Sequence, residues 1–202
     1  LDLYGRSSHG AYPHRSIDTI VMAGQVVSAV QTIVSRRIDP HDPAVISFGS
    51  INGGSALNVI PEKVRLKGTV RSFDPEVQKQ LFRELRATAQ GVAAAMGGRA
   101  ELEIIAGYPP LLNDAGMAER LRRAIESVEG AEWLPVPDPP LGGEDFAMFC
   151  KQVPAAFMFT GTGSSRCQAA WHQPCFDIEE AALPLSARVL AAAAASLANE
   201  DR

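Results

Sequence analysis

Cysteine and histidine are scarce in this chain of 202, at three and four. Three cysteines (Cys150, Cys167, Cys175) are too few, and odd in number, for a disulfide framework, which favours a reducing compartment and a cytoplasmic protein. Positive charge is not in excess either. Lys and Arg number 19 against 23 Asp and Glu, a net charge of -4, so no overall field recruits nucleic acid or an anionic lipid surface. Long apolar runs are missing: the longest, near Val189 to Ala198, is about half of a bilayer span, and no membrane helix is expected. Neither an initiator Met nor a signal peptide's charged and apolar regions precede Leu1-Asp2-Leu3-Tyr4, so the chain is read as beginning in mid-domain. What is present is ordinary: 46% hydrophobic and 21% charged residues can bury a core, and the length allows one large or two small domains.

Periodicity then organises the chain. Leu1 to Tyr4 alternates like a strand, and after a loop Ser16 is positioned to cap a helix whose apolar stripe is Ile20, Ala23, Val27, Val30 and Val34. A strand from Ala44 to Ile51, a turn at Asn52 to Ser55 and an alternating strand from Lys63 to Phe73 follow. Asp74-Pro75-Glu76 opens a second helix with an acid cap and a first-turn proline, its stripe being Val77, Leu81, Leu85, Ala89, Val92 and Met96. Ala100 to Tyr108 reads as a fourth strand. The order is β-α-β-β-α-β, a ferredoxin-like sandwich of two helices on an antiparallel sheet, over residues 1 to 109. Residues 110 to 202 differ. They promise a helix capped by Asp114 and closed by Gly130, a proline-rich stretch Pro135 to Pro140, a short helix after Gly142-Gly143-Glu144-Asp145, a buried strand Ala155 to Thr160 and a helix from Glu179 to Ala198. One strand cannot make a sheet, so this half reads as part of an α/β domain that leaves apolar surface exposed.

Few residues in this pattern can carry chemistry. His9 lies in a glycine- and serine-flanked loop at a strand end, where scaffolds place functional groups, while His14 reads equally as packing at a helix entry. His172 follows a glycine loop after the apolar run, at the carboxyl end of a strand, where open α/β sheets bind ligands. Cys167 and Cys175 beside it fit no common structural zinc spacing. Arg71, at a strand end beside the helix N-terminus, can offer a guanidinium fork to a carboxylate, or can simply be solvated. Asn58 sits in an apolar segment, as a ligand-binding amide or as a turn former. Gly143 and Glu144 precede a helix whose backbone N–H groups can meet an anion, with a plain cap by Asp145 as the simpler reading.

Taken together, His9-Gly10-Ala11-Tyr12-Pro13-His14, Asp42-Pro43-Ala44-Val45, Gly53 to Pro61, Gly68 to Asp74, Gly107-Tyr108-Pro109-Pro110, Gly142 to Phe146 and Trp171-His172 resemble, in order, the peptidase M20 family. These are metal-dependent amidohydrolases and aminopeptidases, and the resemblance is nearest to the branch with hippurate hydrolase, N-acyl-amino-acid amidohydrolases and auxin-conjugate hydrolases. It implies a ferredoxin-like lid that also forms a homodimer, followed by the C-terminal part of a zinc-peptidase-like catalytic domain. It implies further that His9 supports a tetrahedral oxyanion in the partner's active site, Asn58 holds the substrate, Arg71 grips its carboxylate, Gly143 and Glu144 line the pocket, and His172 is a metal ligand. The complete active site of such an enzyme takes two divalent metal ions (Zn, Mn or Co). The family's other ligands and its glutamate base precede the lid, in a region absent from this sequence, and one histidine falls short of the roughly three protein ligands a catalytic ion needs. The reading is therefore amide hydrolysis of N-acyl or N-aroyl amino acids, or of small peptides, by the full-length protein, with this chain by itself inactive. The competing readings are a non-catalytic dimerisation module and a regulatory domain that binds a free amino acid.

Overall fold

A computed structural model describes residues 1–136 and 140–200. It divides into two units, Leu1–Pro110 with Pro140–Gly142, and Leu111–Pro139 with Gly143–Arg202. In chain order the first unit holds β1 (Asp2–Tyr4), β2 (Ser8–His9), α1 (Thr19–Arg37), β3 (Ala44–Gly53), β4 (Val59–Ile60), β5 (Lys63–Ser72), α2 (Pro75–Ala95) and β6 (Arg99–Glu101). Four strands form one sheet in the order β3-β5-β1-β6, each pair antiparallel, and β2 pairs separately with β4. Leaving that small pair aside, the chain order is the β-α-β-β-α-β expected from the sequence.

Alternation sets which face of the sheet is covered. Leu3, Val64 and Ala100 stand opposite one another in register and are buried, with Leu66 and Ile46 beside them. Helices α1 and α2 pack on that face and on each other, contributing Met22, Val26, Val30, Ile33, Leu81 and Leu85 to a single core cluster. The other face carries the charged positions. Asp2 accepts both Nε and Nη2 of the cross-strand Arg65, at 2.6 and 2.8 Å, and pairs with Lys63 at 2.6 Å. Those hydrogen bonds, the one from Arg65 first, hold the Asp2 carboxyl far below the usual carboxylate range. Tyr4, one register step away, lies under the Arg99 guanidinium at 3.8 Å from its centroid. On the edge strand β3, the register slips between Phe48 and Ser50. Gly68 opposite makes room for this bulge, because a Cβ there would stand 2.2 Å from the Ser47 carbonyl oxygen.

Three expectations for this unit need correction. Asp18, not Ser16, caps α1: its Oδ1 accepts from the N–H groups of Ile20 and Val21, while Ser16 closes a 3-10 turn onto the Pro13 carbonyl. The buried stripe of α1 is Thr19, Met22, Ala23, Val26, Val30 and Ile33, with Ile20 exposed. This helix is apolar almost all round, so spacing alone did not single out the face that meets the sheet. The fourth strand stops at Glu101 rather than at Tyr108, because β1, its partner among the described residues, is three residues long. The cap of α2 is as expected, with Asp74 accepting from the Glu76 N–H at 2.6 Å and Pro75 in the first turn.

The second unit contains α3 (Ala115–Glu126), α4 (Ala147–Cys150) and α5 (Ala182–Glu200), with α3 packed on α5. Asp114 caps α3 by accepting from the Met117 N–H at 2.9 Å. The strand expected over Ala155 to Thr160 is not formed, since the described residues of this unit offer it no partner strand. A side chain substitutes. The Asn113 amide donates to the Phe157 carbonyl at 2.9 Å and accepts its N–H at 2.8 Å, as a neighbouring peptide group would. The last helix begins at Ala182 rather than Glu179. Of the proline-rich stretch, residues 137–139 lie outside the described residues. Among the described residues no helix is long and apolar enough to cross a membrane.

Candidate functional site

Four backbone links and one side-chain bond place His9. Gly5, whose Cβ would collide with the Ile17 carbonyl oxygen at 2.1 Å, starts the loop and donates its N–H to Glu62. Arg6 and Ile17 then bridge, closing the loop at its base. The buried Thr19 hydroxyl donates to the Pro61 carbonyl at 2.7 Å. At the tip, Ser8 and His9 pair with Ile60 and Val59, and the Gly10 N–H donates to the Asn58 carbonyl at 2.7 Å. His9 and Asn58, 49 residues apart in the chain, therefore share one exposed loop pair. Asn58 lies in a turn, as the turn-former reading has it, and is exposed next to the fully exposed Leu57.

Within that pair the imidazole is oriented. His9 Nδ1 accepts the Ala11 backbone N–H at 3.1 Å, and the Tyr12 ring lies against it at a centroid distance of 5.8 Å. Tyr12 is itself held: its N–H donates to the His9 carbonyl, its carbonyl accepts the Ser8 hydroxyl, and the Arg15 guanidinium sits 5.1 Å above its ring. Sequence reasoning overlooked Ala11 and Tyr12. The available signal was a large ring three positions after a loop histidine, with no apolar period to explain it.

Arg71 is elsewhere. It stands eight steps along β5 from Lys63, roughly 26 Å at strand rise, at the end of the strand remote from the His9 loop. Its Nη1 donates to the Val70 carbonyl at 3.0 Å, and no carboxylate pairs with it among the described residues, so the suggested fork onto an acid of the α2 N-terminus is not formed. A half-buried guanidinium without an internal anion is available to an external one.

In the second unit, Glu144 rather than Asp145 turns back on the backbone, its Oε1 accepting from the Phe146 N–H at 3.2 Å. Gly143 beside it is exposed. From Phe146 a row of ring contacts runs through Phe157 and Phe159 to Trp171, with centroids 5.3 to 5.7 Å apart. His172 follows Trp171, exposed, with φ at 65°, the left-handed region. Glu144 and His172 thus stand at the two ends of one aromatic row. Cys150, Cys167 and Cys175 are free thiols. Among the described residues no group of three or more His, Cys, Asp or Glu side chains is placed to hold a metal ion. His172 would supply one ligand of the three or so that such an ion needs, and the donor set of this chain does not fit a complete metal centre.

The model of peptidase family M20/M25/M40 matches residues 10–196, and the chain belongs to this family. N-acetyl-L-cysteine deacetylase of Bacillus subtilis (strain 168) is 38% identical over 185 residues, covering 91% of this chain and 43% of that protein. N-acetyldiaminopimelate deacetylase of Streptococcus sanguinis (strain SK36) is 35% identical over 187 residues, covering 92% and 48%. Among solved structures, a dinuclear metal-binding peptidase of the M20 family from Bacillus subtilis is similar with a TM-score of 0.68 at 29% identity, over 97% of this chain and 49% of that one. The chain spans about half the length of the relatives it matches.

Proposed function

We propose that this chain provides the substrate-holding and oxyanion-supporting part of an enzyme that hydrolyses the amide bond of N-acyl amino acids. The observation that carries this reading is the Gly10 to Asn58 hydrogen bond, which places an imidazole and a carboxamide on one exposed loop pair. Both can donate a hydrogen bond, which suits an acyl oxygen that gains negative charge as the carbonyl becomes tetrahedral. Arg71, remote from them and lacking an internal anion, suits the free carboxylate of the amino-acid moiety. The ferredoxin-like first unit would act as a lid and pair with a second copy, His9 reaching the partner's site. Gly143 and Glu144 would line the pocket, and His172 would be one ligand in a centre of two divalent ions (Zn, Mn or Co) completed by residues outside this chain.

The relatives support an N-acetyl amino acid more directly than a hippurate-like aroyl one, since those named are deacetylases. The test is amino-acid release from N-acetyl and N-benzoyl amino acids by the full-length protein carrying these residues. His9→Ala should lower kcat by about 100- to 1,000-fold, the usual consequence of losing one oxyanion donor. Arg71→Ala should chiefly raise KM for carboxylate-bearing substrates, and the 202-residue chain alone should release nothing. Undiminished turnover in His9→Ala would sink the reading in favour of a binding module.

A further inference from the structure

We infer that Ala11 and Tyr12 act as a clamp that fixes the tautomer and direction of His9, so that this residue meets its ligand only as a hydrogen-bond donor; the functional part of this inference rests on the hydrolase reading above. In a neutral imidazole one nitrogen carries the proton and the other a lone pair, and the hydrogen bond made by one nitrogen decides the state of the other. The Ala11 N–H points at Nδ1 from 3.1 Å, so Nδ1 is the acceptor and Nε2 carries the hydrogen. The bond would be lost if the ring turned over, and the Tyr12 ring packs beside the imidazole at a centroid distance of 5.8 Å, tilted 54° to it. Tyr12 does not depend on the His9 imidazole to stay there, because the Ser8 hydroxyl, the Arg15 guanidinium and a bond from its own N–H to the His9 backbone carbonyl hold it.

The consequence is a statement about ligand chemistry. With its lone pair engaged by a backbone amide, His9 has no free acceptor: it is neither a general base nor a ligand for a cation, and what it meets through Nε2–H is a carbonyl oxygen or an oxyanion. Tyr12 is a positioning residue, acting through its ring rather than its hydroxyl.

The experiment is nitrogen NMR of the isotope-labelled 202-residue chain with imidazole neutral. A through-hydrogen-bond coupling between the Ala11 amide nitrogen and His9 Nδ1 is expected in the unsubstituted chain and in Tyr12→Phe, and its loss in Tyr12→Ala. Its absence from the unsubstituted chain, a proton on Nδ1, or survival of the coupling in Tyr12→Ala overturns the clamp. This arm needs no catalysis, so its failure is distinct from that of the hydrolase reading, which would show as full activity in His9→Ala. In the full-length enzyme Tyr12→Ala should lower kcat by about tenfold or more at unchanged KM, as a misdirected group does, with Tyr12→Phe restoring it. Equal kcat in Tyr12→Ala and the unsubstituted enzyme removes Tyr12 from that role.

Discussion

The two units solve the same problem, covering apolar side chains, to different degrees. The first closes its core: Leu3, Met22, Val26, Val30, Ile33, Val64, Leu66 and Leu81 are sealed from water between one sheet face and two helices. In the second, the buried hydrophobic residues are Ala124, Ile125, Ala147, Ala155 and Val189, while Phe149, Phe159, Trp171, Leu183 and Leu190 are about half exposed or more. Burial is worth about 25 cal/mol per Å² of apolar surface, so a unit whose large side chains stay wet gains little from them. The candidate groups follow this contrast. His9 is carried by a loop tied through backbone hydrogen bonds to Glu62, Ile17 and the 58–60 segment of a unit with a closed core, whereas His172 sits in a turn between an unpaired apolar run and a helix.

Core truncation should separate the units most sharply. Leu66→Ala is expected to cost about 2–5 kcal/mol, and Leu183→Ala, on the exposed side of α5, no more than about 0.5 kcal/mol. Both tryptophans, Trp133 and Trp171, belong to the second unit, so their fluorescence follows it while far-ultraviolet circular dichroism follows both. Urea unfolding read by the two signals should show Leu66→Ala moving the dichroism midpoint; equal shifts for the two substitutions would break the contrast. Helix caps come next, at about 1 kcal/mol each. Asp18→Ala, which orphans two N–H groups, should cost more than Asp114→Ala, which orphans one; the reverse order would mean that the caps are not what anchors these helices.

Charge should give the smallest effect. Asp2 is held low by Arg65 and Lys63, and Glu119 is pulled down to about 2 by Arg122 and then Arg123. For carboxylates depressed in the folded state, the stabilisation is complete above the unfolded values, about 3.9 for Asp and 4.3 for Glu, and fades as pH falls toward the folded ones. Asp2→Asn should therefore flatten the acid loss of stability in the first unit and Glu119→Gln that in the second. Asp2 is largely shielded while Glu119 is exposed on a helix surface, so high salt should abolish the effect of Glu119→Gln and spare most of that of Asp2→Asn. Equal salt sensitivity would remove the distinction.

What could be read from the sequence tracks locality. Asp74-Pro75 starts a helix because cap and proline chemistry act within one turn, and the period-two run Lys63 to Ser72 needs only its own residues to declare two faces. Where a partner decides, the sequence was silent. Leu102 to Tyr108 alternates as well as any strand, yet β1 ends before it; Ala155 to Thr160 is as apolar as a central strand, yet the Asn113 amide and the Asp114 N–H meet it in place of a strand. At the site, the order of motifs pointed to His9 and Asn58. That they touch through Gly10, that Arg71 is a strand's length away, and that the Ala11 N–H and the Tyr12 ring hold the imidazole are facts of three-dimensional closure, and the Gly10 and Ala11 contacts are made by backbone groups that nearly every residue possesses.

The left-handed backbone at His172 has a consequence for how that residue should be probed. A histidine at φ 65° holds roughly 1 kcal/mol of torsional strain that glycine would not feel. Replacing it by glycine relaxes the turn and deletes the imidazole together, so a melting curve would rise at the position where the proposed metal ligand is removed. Asparagine, which tolerates the same torsion, isolates the side chain from the bend. Thermal tolerance and chemistry are set against one another at this turn, and a screen that selected for heat resistance alone would discard the histidine first.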